Sequence, residues 1–196
     1  GSGYFTFLGN DSGVTTFSEA SLPTGLSDAG EDLTVTSGNT YTLSGNETFD
    51  SIAGAGTIAL GSNTLTSGVS GGDGGDTTFS GVMSGSGALT KQGSSTLTLS
   101  GTNTYTGTTT LSGVDRLWVT GALSSSSSLA VTSGQFVMRK AMTFATVTGG
   151  GGITNGGYDL TVGNGTDLDV VSSGEMNFSA PNADLGITSG RDLNIV

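Results

Sequence analysis

Few residues in this chain can do chemistry. It has no histidine and no cysteine, so a Ser-His-Asp or Cys-His nucleophile is excluded. Asp167 and Asp169, in "TDLDV", stand at i and i+2. On a strand that spacing puts both on one face, about 6.7 Å apart, a range at which paired carboxylates act on glycosides. Leu168 and Val170 claim the opposite, core face, so the simpler reading is a hydrated acidic edge. The stretch "GGDGGDTTF" at 71–79 follows the first six positions of a calcium-binding nonapeptide. Its glycines would aim carbonyls at a hard cation, and Asp73 and Asp76 would supply carboxylate oxygen. Thr78 stands where a large apolar residue belongs, and one copy cannot build a site shared between turns. No metal site is therefore assigned, and the simpler reading is an exposed glycine loop. Trp118 is the single tryptophan. If Leu117 and Val119 face a core, Trp118 faces out beside Arg116, where it can stack on a sugar ring or a partner protein. The alternative is packing on a neighbouring layer. Arg139 and Lys140 form the one adjacent basic pair, read as a solvated corner or as partners of nearby acids. "SSSSS" at 124–128 is a loop, and the glycines at 149–152 lack the Lys-Ser/Thr of a phosphate loop.

Such residues need a scaffold, and composition limits what it can be. Glycine is 36 of 196 residues, about 18 % against a usual ~7 %. Charged residues are 11 %, less than half the usual ~25 %. Glycine- and serine-rich chains are often disordered, but Val, Ile, Thr, Phe and Tyr run through this one. Net charge is −11 with five basic residues. That excludes the clustered Lys/Arg needed for nucleic acid and attraction to anionic membranes. No apolar run reaches transmembrane length, so no direct membrane insertion of this segment is expected. No signal peptide is visible, so an exported protein would be represented here by a mature fragment. Absence of cysteine fits a large bacterial surface protein that must cross a periplasm without forming disulfides. Gly1-Ser2-Gly3 fits either native chain or a cloning scar.

The pattern along the chain is that of short strands. "LTVT" at 33–36, "TLTL" at 96–99, "LAVT" at 129–132, "LTV" at 160–162, "LDV" at 168–170 and "LNIV" at 193–196 all alternate. Period two places Leu33 and Val35 on one face, Thr34 and Thr36 on the other. Ser-Gly, Gly-Asn and Gly-Gly pairs between the runs are turn signals. No helical periodicity occurs. Segments also echo one another. "LTVTSG" at 33 returns as "LAVTSG" at 129, and "TFDSIAGAGTI" at 48 as "TFATVTGGGGI" at 143. "TLSGNETF" at 42 returns as "TLSGTNTY" at 98. Recurring strands point to a solenoid, in which every coil meets the same problem as its neighbour.

Residues 79–123 carry a more specific string. Gly87, Leu89, Thr90, Lys91 and Gly93, then Thr96 to Gly101, Asn103 to Gly107, Thr109 and Thr110, follow one pattern: G-x-L-T-K-x-G-x-G-T-L-T-L-S-G-x-N-T-Y-T-G-x-T-T. This segment closely resembles the autotransporter-associated β-strand repeat, also called the passenger-associated transport repeat. The strand after it departs, with "VDRLWV" where the family has a plainer sequence. The final "TSGRDLNIV" is similar, more loosely, to repeats of filamentous haemagglutinins. The resemblance implies a right-handed parallel β-helix in a secreted passenger, extracellular at the bacterial cell surface. It implies no catalytic residues and no cofactor, and a repeat that helps the passenger fold and leave the cell.

The residues suit that fold. Leu97, Leu99, Leu117, Val119, Leu129, Val131, Leu160 and Val162 fill an inner face, threonines clothe the outer one, and glycines turn corners. Asn39 and Tyr41, with Asn103 and Tyr105, lie in two "NTYT" copies and are candidates for stacked ladders. At roughly 20–25 residues per coil, 1–196 forms one β-solenoid domain, or a segment of a longer one, of about eight coils, a rod about 40 Å long. End coils without caps call for continuation of the solenoid or self-association with another copy. The functional reading is a non-enzymatic structural or adhesive segment of a bacterial surface protein. It extends to units stacked end to end into extracellular filaments, and to a glycan or host-surface ligand at Trp118 and Arg116. The alternatives are a polysaccharide-acting enzyme on a β-helix and a phage tail-spike fragment.

Overall fold

The computed structural model describes residues 4–7, 16–18, 32–68, 75–114, 116–156 and 158–162, and the strands 168–170, 185–187 and 193–195. All regular structure among them is β, in strands of two to five residues. The chain winds around three faces in fixed order. One turn takes Asp32–Val35 on the first face, Thr40–Thr42 on the second and Glu47–Phe49 on the third. The next begins at Ser51–Gly54 and passes through Thr57–Gly61 and Thr64–Ser67. All described pairings between turns are parallel. The first face builds a sheet of eight strands and the third a sheet of six. The second face is regular up to Val82–Gly85. It then narrows to a bridge between Thr102 and Ala122, and resumes at Met142–Phe144. This is a β-solenoid.

Residues stacked on the first face lie 19, 25, 20, 20, 19 and 17 positions apart, from Leu33 to Ile52, Gly54 to Phe79, Phe79 to Leu99, Leu97 to Leu117, Leu117 to Phe136 and Phe136 to Ile153. The described stack therefore makes about six turns, not the eight expected. That expectation spread coils evenly over 196 residues, whereas the closely spaced turns run from residue 32 to 162.

Alternation is obeyed in most strands whose burial is described, with Ser51–Gly54 and Gln135–Met138 as exceptions in which consecutive residues are buried. Asp32–Val35, Thr57–Ala59 and Ala88–Lys91 alternate half-buried and buried. Leu97, Leu99, Leu117, Val119, Leu129, Val131, Leu160 and Val162 are all buried, as their spacing required. Each such leucine contributes roughly 1.5–3 kcal/mol relative to exposure.

The structure also explains the echoes. Leu33 lies on the first face and Leu129 on the third; Ile58 lies on the second and Ile153 on the first. The repeats near 95, and the one from Thr42 to Thr98, all fall one third short of a whole number of turns. Three faces built from the same strand chemistry make a one-face shift invisible in the string.

Candidate functional site

Residues 89–113 form slightly more than one turn. The segment starts on the third face at Leu89, passes Leu97–Leu99 on the first, and returns to the third at Thr109–Leu111. Leu89 then lies beneath Thr109, and Lys91 beneath Leu111. The segment therefore contains its own first contacts between coils.

Its corners are columns of glycine. A Cβ on Gly101 would stand 1.9 Å from the Gly81 carbonyl oxygen, and one on Gly121 would stand 2.0 Å from that of Gly101. The pairs Gly87/Gly107 and Gly93/Gly113 repeat the arrangement at 2.2 and 2.4 Å. Backbone from one turn rests on backbone from the previous one, so only hydrogen fits.

Four of the motif's polar residues, Lys91, Asn103, Tyr105 and Thr109, are inside. Asn103 is buried, and its Oδ1 accepts the Met83 N–H at 2.9 Å. The side chain replaces a ladder acceptor where the second face loses its regular strand. Tyr105 is buried beside it, with its hydroxyl 2.6 Å from Thr109 Oγ1. Tyr41 repeats this arrangement lower in the same column of the stack, donating to Glu47 Oε2 at 2.5 Å. Glu47 and Thr109 occupy the same inward column, which also holds Leu65, Leu89 and Leu129. Inward polar residues thus stand where a tyrosine hydroxyl needs a partner. The two "NTYT" copies share a column but do not stack on each other, because Ile58 and Met83 lie between Tyr41 and the turn of Tyr105.

Burial pushes the Tyr105 hydroxyl well above its ordinary value of 10.0, and the bond with Thr109 works in the opposite direction. A group raised in the folded state stabilises fully below its unfolded value, and that stability is lost as pH rises above it. Urea midpoints should therefore fall above about pH 10. In Tyr105→Phe the fall should be shallower, after a loss of about 1 kcal/mol at neutral pH. Equal slopes for both proteins would refute this.

Lys91 also points inward. It follows Leu89 by two positions, is 1 % exposed, and its Nζ donates to the Gln92 carbonyl at 2.6 Å. The alternation of "ALTK" carried that signal.

The candidate chemical residues are not brought together into one site. Asp76 is exposed, and its Oδ1 accepts the Thr96 N–H of the next turn at 2.7 Å. Asn46 does the same for Thr64 at 2.8 Å. These side chains cap strands across the stack. Asp73 and Asp167 lie outside the described residues. Asp169 is described only as backbone, in a strand paired with Leu193–Ile195.

Trp118 lies on the outer phase of Arg116–Val119, half-buried between Thr98 and Val137 in register. Arg139, from the following turn, sits with its Cζ 5.4 Å from the ring centroid. Trp118 thus packs against a neighbouring layer, and Arg139 covers an aromatic face instead of meeting an acid. The indole N–H is buried and has no hydrogen-bond partner among the described residues. Arg116, Arg139 and Lys140 are exposed.

Parallel strands stacked at a step near 20 residues, glycine corner columns and inward Asn/Tyr pairs define a β-solenoid repeat protein. Residues 89–113 match the family model of the passenger-associated transport repeat, so the chain carries that repeat. The match lies within the 79–123 segment and covers the turn that closes on itself. Neither the curated proteins nor the solved structures give a match to this chain.

Proposed function

We propose that this chain is part of the exported passenger of a bacterial autotransporter, and that it acts outside the cell as a rigid, non-catalytic scaffold with an adhesive surface. The observation that carries this reading is the passenger-associated transport repeat, sitting as a closed turn within a parallel stack of the same width. The turn's register is set by backbone contacts, and closing it spans only about 20 residues, a small entropic cost. Such a turn organises its neighbours without a partner, which suits a chain that folds after crossing a membrane.

The experiment is display. The chain is placed between a signal peptide and an outer-membrane translocator barrel in a Gram-negative host. Protease added to whole cells should remove it, and antibody should label it. Retention in the periplasm with an intact barrel would count against the reading. In its sharper form, units stack end to end into filaments through outer strands such as Tyr4–Phe7, which among the described strands pairs only with Asp32–Val35. Fibres in electron micrographs would support that form, and a strictly monomeric rod at high concentration would remove it.

A further inference from the structure

We propose that Arg116, Trp118, Arg139, Lys140 and Tyr158 form a binding site for an acidic polysaccharide, one whose sugars carry carboxylates. The proposal rests on the surface-scaffold reading for where such a ligand is met, and on the following observations for the site itself.

The first observation is charge. Residues 116–158 contain Arg116, Arg139 and Lys140 and no acid. This stretch carries +3 in a chain of net −11, which leaves −14 for the remainder. All sixteen acids lie outside 77–114 and 116–158, and of these two acid-free stretches the second holds three of the five basic residues.

The second is geometry. Arg116 and Trp118 share the outer phase of one strand, and Arg139 follows the next strand in the stack. Arg139 is four positions along from Arg116 in register and one turn up, so the two guanidinium-bearing residues are about 13 Å apart along the strand direction and ~4.8 Å across it. Tyr158 is 43 % exposed. The point where a Cβ would stand on Gly156 is 3.7 Å from Arg139 Nη1 and 3.7 Å from Tyr158 Cδ2. Arg139 Nη1 and the Tyr158 ring thus both border the Gly156 corner, and the guanidinium itself rests on the Trp118 indole.

The third is unspent bonding capacity. Arg116, Arg139 and Lys140 are exposed, and none of them forms an ion pair among the described residues. Guanidinium groups match carboxylates with paired hydrogen bonds. The exposed Tyr158 ring offers an apolar face to the C–H side of a sugar. A flat ladder of strands suits a linear polymer. A protein partner fits less well. Val82, Val114 and Tyr158 are the only large hydrophobics exposed among the described residues, too few for the apolar centre of a protein interface. Three cations are likewise few for nucleic acid.

The test uses purified protein and oligomers of polygalacturonate, with the methyl-esterified polymer as its neutral twin. Binding is expected at an ionic strength of about 0.01 M and should weaken at about 0.15 M, as screening shortens from ~30 to ~8 Å. Esterification should weaken it about tenfold or more, the scale of a lost charge-assisted hydrogen bond. The double variant Arg116→Gln/Lys140→Gln should lose about tenfold with an unchanged melting curve, since both side chains are exposed. Arg139→Gln should also lose affinity. No binding at low salt, equal binding of acid and ester, or a double variant that binds like the wild type would each overturn the proposal. So would salt-sensitive self-association abolished by the double variant, because the patch would then face a second copy. Display on cells plays no part in these readouts, so failure here leaves the scaffold reading intact, and the reverse holds.

Discussion

Gly101→Ala is expected to destabilise the solenoid by about 3 kcal/mol or more, the upper range for overpacking. The added methyl would stand 1.9 Å from the Gly81 oxygen and 2.6 Å from that of Ser80. Both obstacles are backbone, so no rotamer change relieves them. Two turns must separate, and the bonds from Ser100 N to Phe79 O and from Ala122 N to Gly101 O sit on either side of the gap. Gly101 does not have a positive φ, so the cost is one of space alone. Two other glycines calibrate the effect. Gly45 has nothing within 4 Å and no positive φ, so Gly45→Ala should be neutral or stabilise by up to ~1 kcal/mol through the unfolded state. Gly38 is equally open but has φ +85°, so Gly38→Ala should cost about 1–2 kcal/mol of conformational strain. Urea denaturation of the three variants gives the ranking. Equal loss at Gly101 and Gly38 would mean that the corners are not close-packed.

The same corners show what the string made legible. Strand positions and core residues were readable because alternation is a direct consequence of strand geometry. Leu97, Leu99, Leu117 and Val119 needed nothing beyond that rule. The length of the turn was harder. Echoes such as Leu33 with Leu129 follow strand chemistry, which all three faces share. The glycine series 81, 101 and 121, and the pairs 87/107 and 93/113, follow corner packing, which belongs to one corner each. They carry the true step of 20 residues. Polar side chains are harder to place from the string for a related reason. Asn103, Tyr105 and Lys91 look like surface residues by type. They are buried because each brings its own partner: the Met83 N–H, the Thr109 hydroxyl and the Gln92 carbonyl. The candidate binding patch was half-visible. Trp118 and Arg116 stand together in the string, but Arg139 reaches them only through stacking, 21 residues later.

Phe136→Ala should be the second severe substitution, costing about 3–5 kcal/mol, as buried aromatic truncations do. Phe136 is fully buried, stacked in register between Leu117 and Ile153. Its ring meets Phe144 edge to face at 5.9 Å and 77°. Truncation opens a cavity that neighbouring turns cannot close, because their backbones are already fixed by the parallel ladders on either side. The consequence is directional. In a solenoid each turn touches only its neighbours, so stability is a sum of local and interface terms. Weakening the turn at 135–148 should release the turns beyond it while sparing those before. Hydrogen exchange should show lost protection for amides of 136–162, with Leu89 to Val119 nearly unchanged. The glycine variant predicts a different profile, centred on 80–122 and spreading both ways. A uniform loss of protection in both variants would show that the rod unfolds as one unit, with no local hierarchy among its turns. If the profiles separate as expected, the turns open locally, each from its own packing fault, and the rod is a chain of neighbouring units and not one cooperative block.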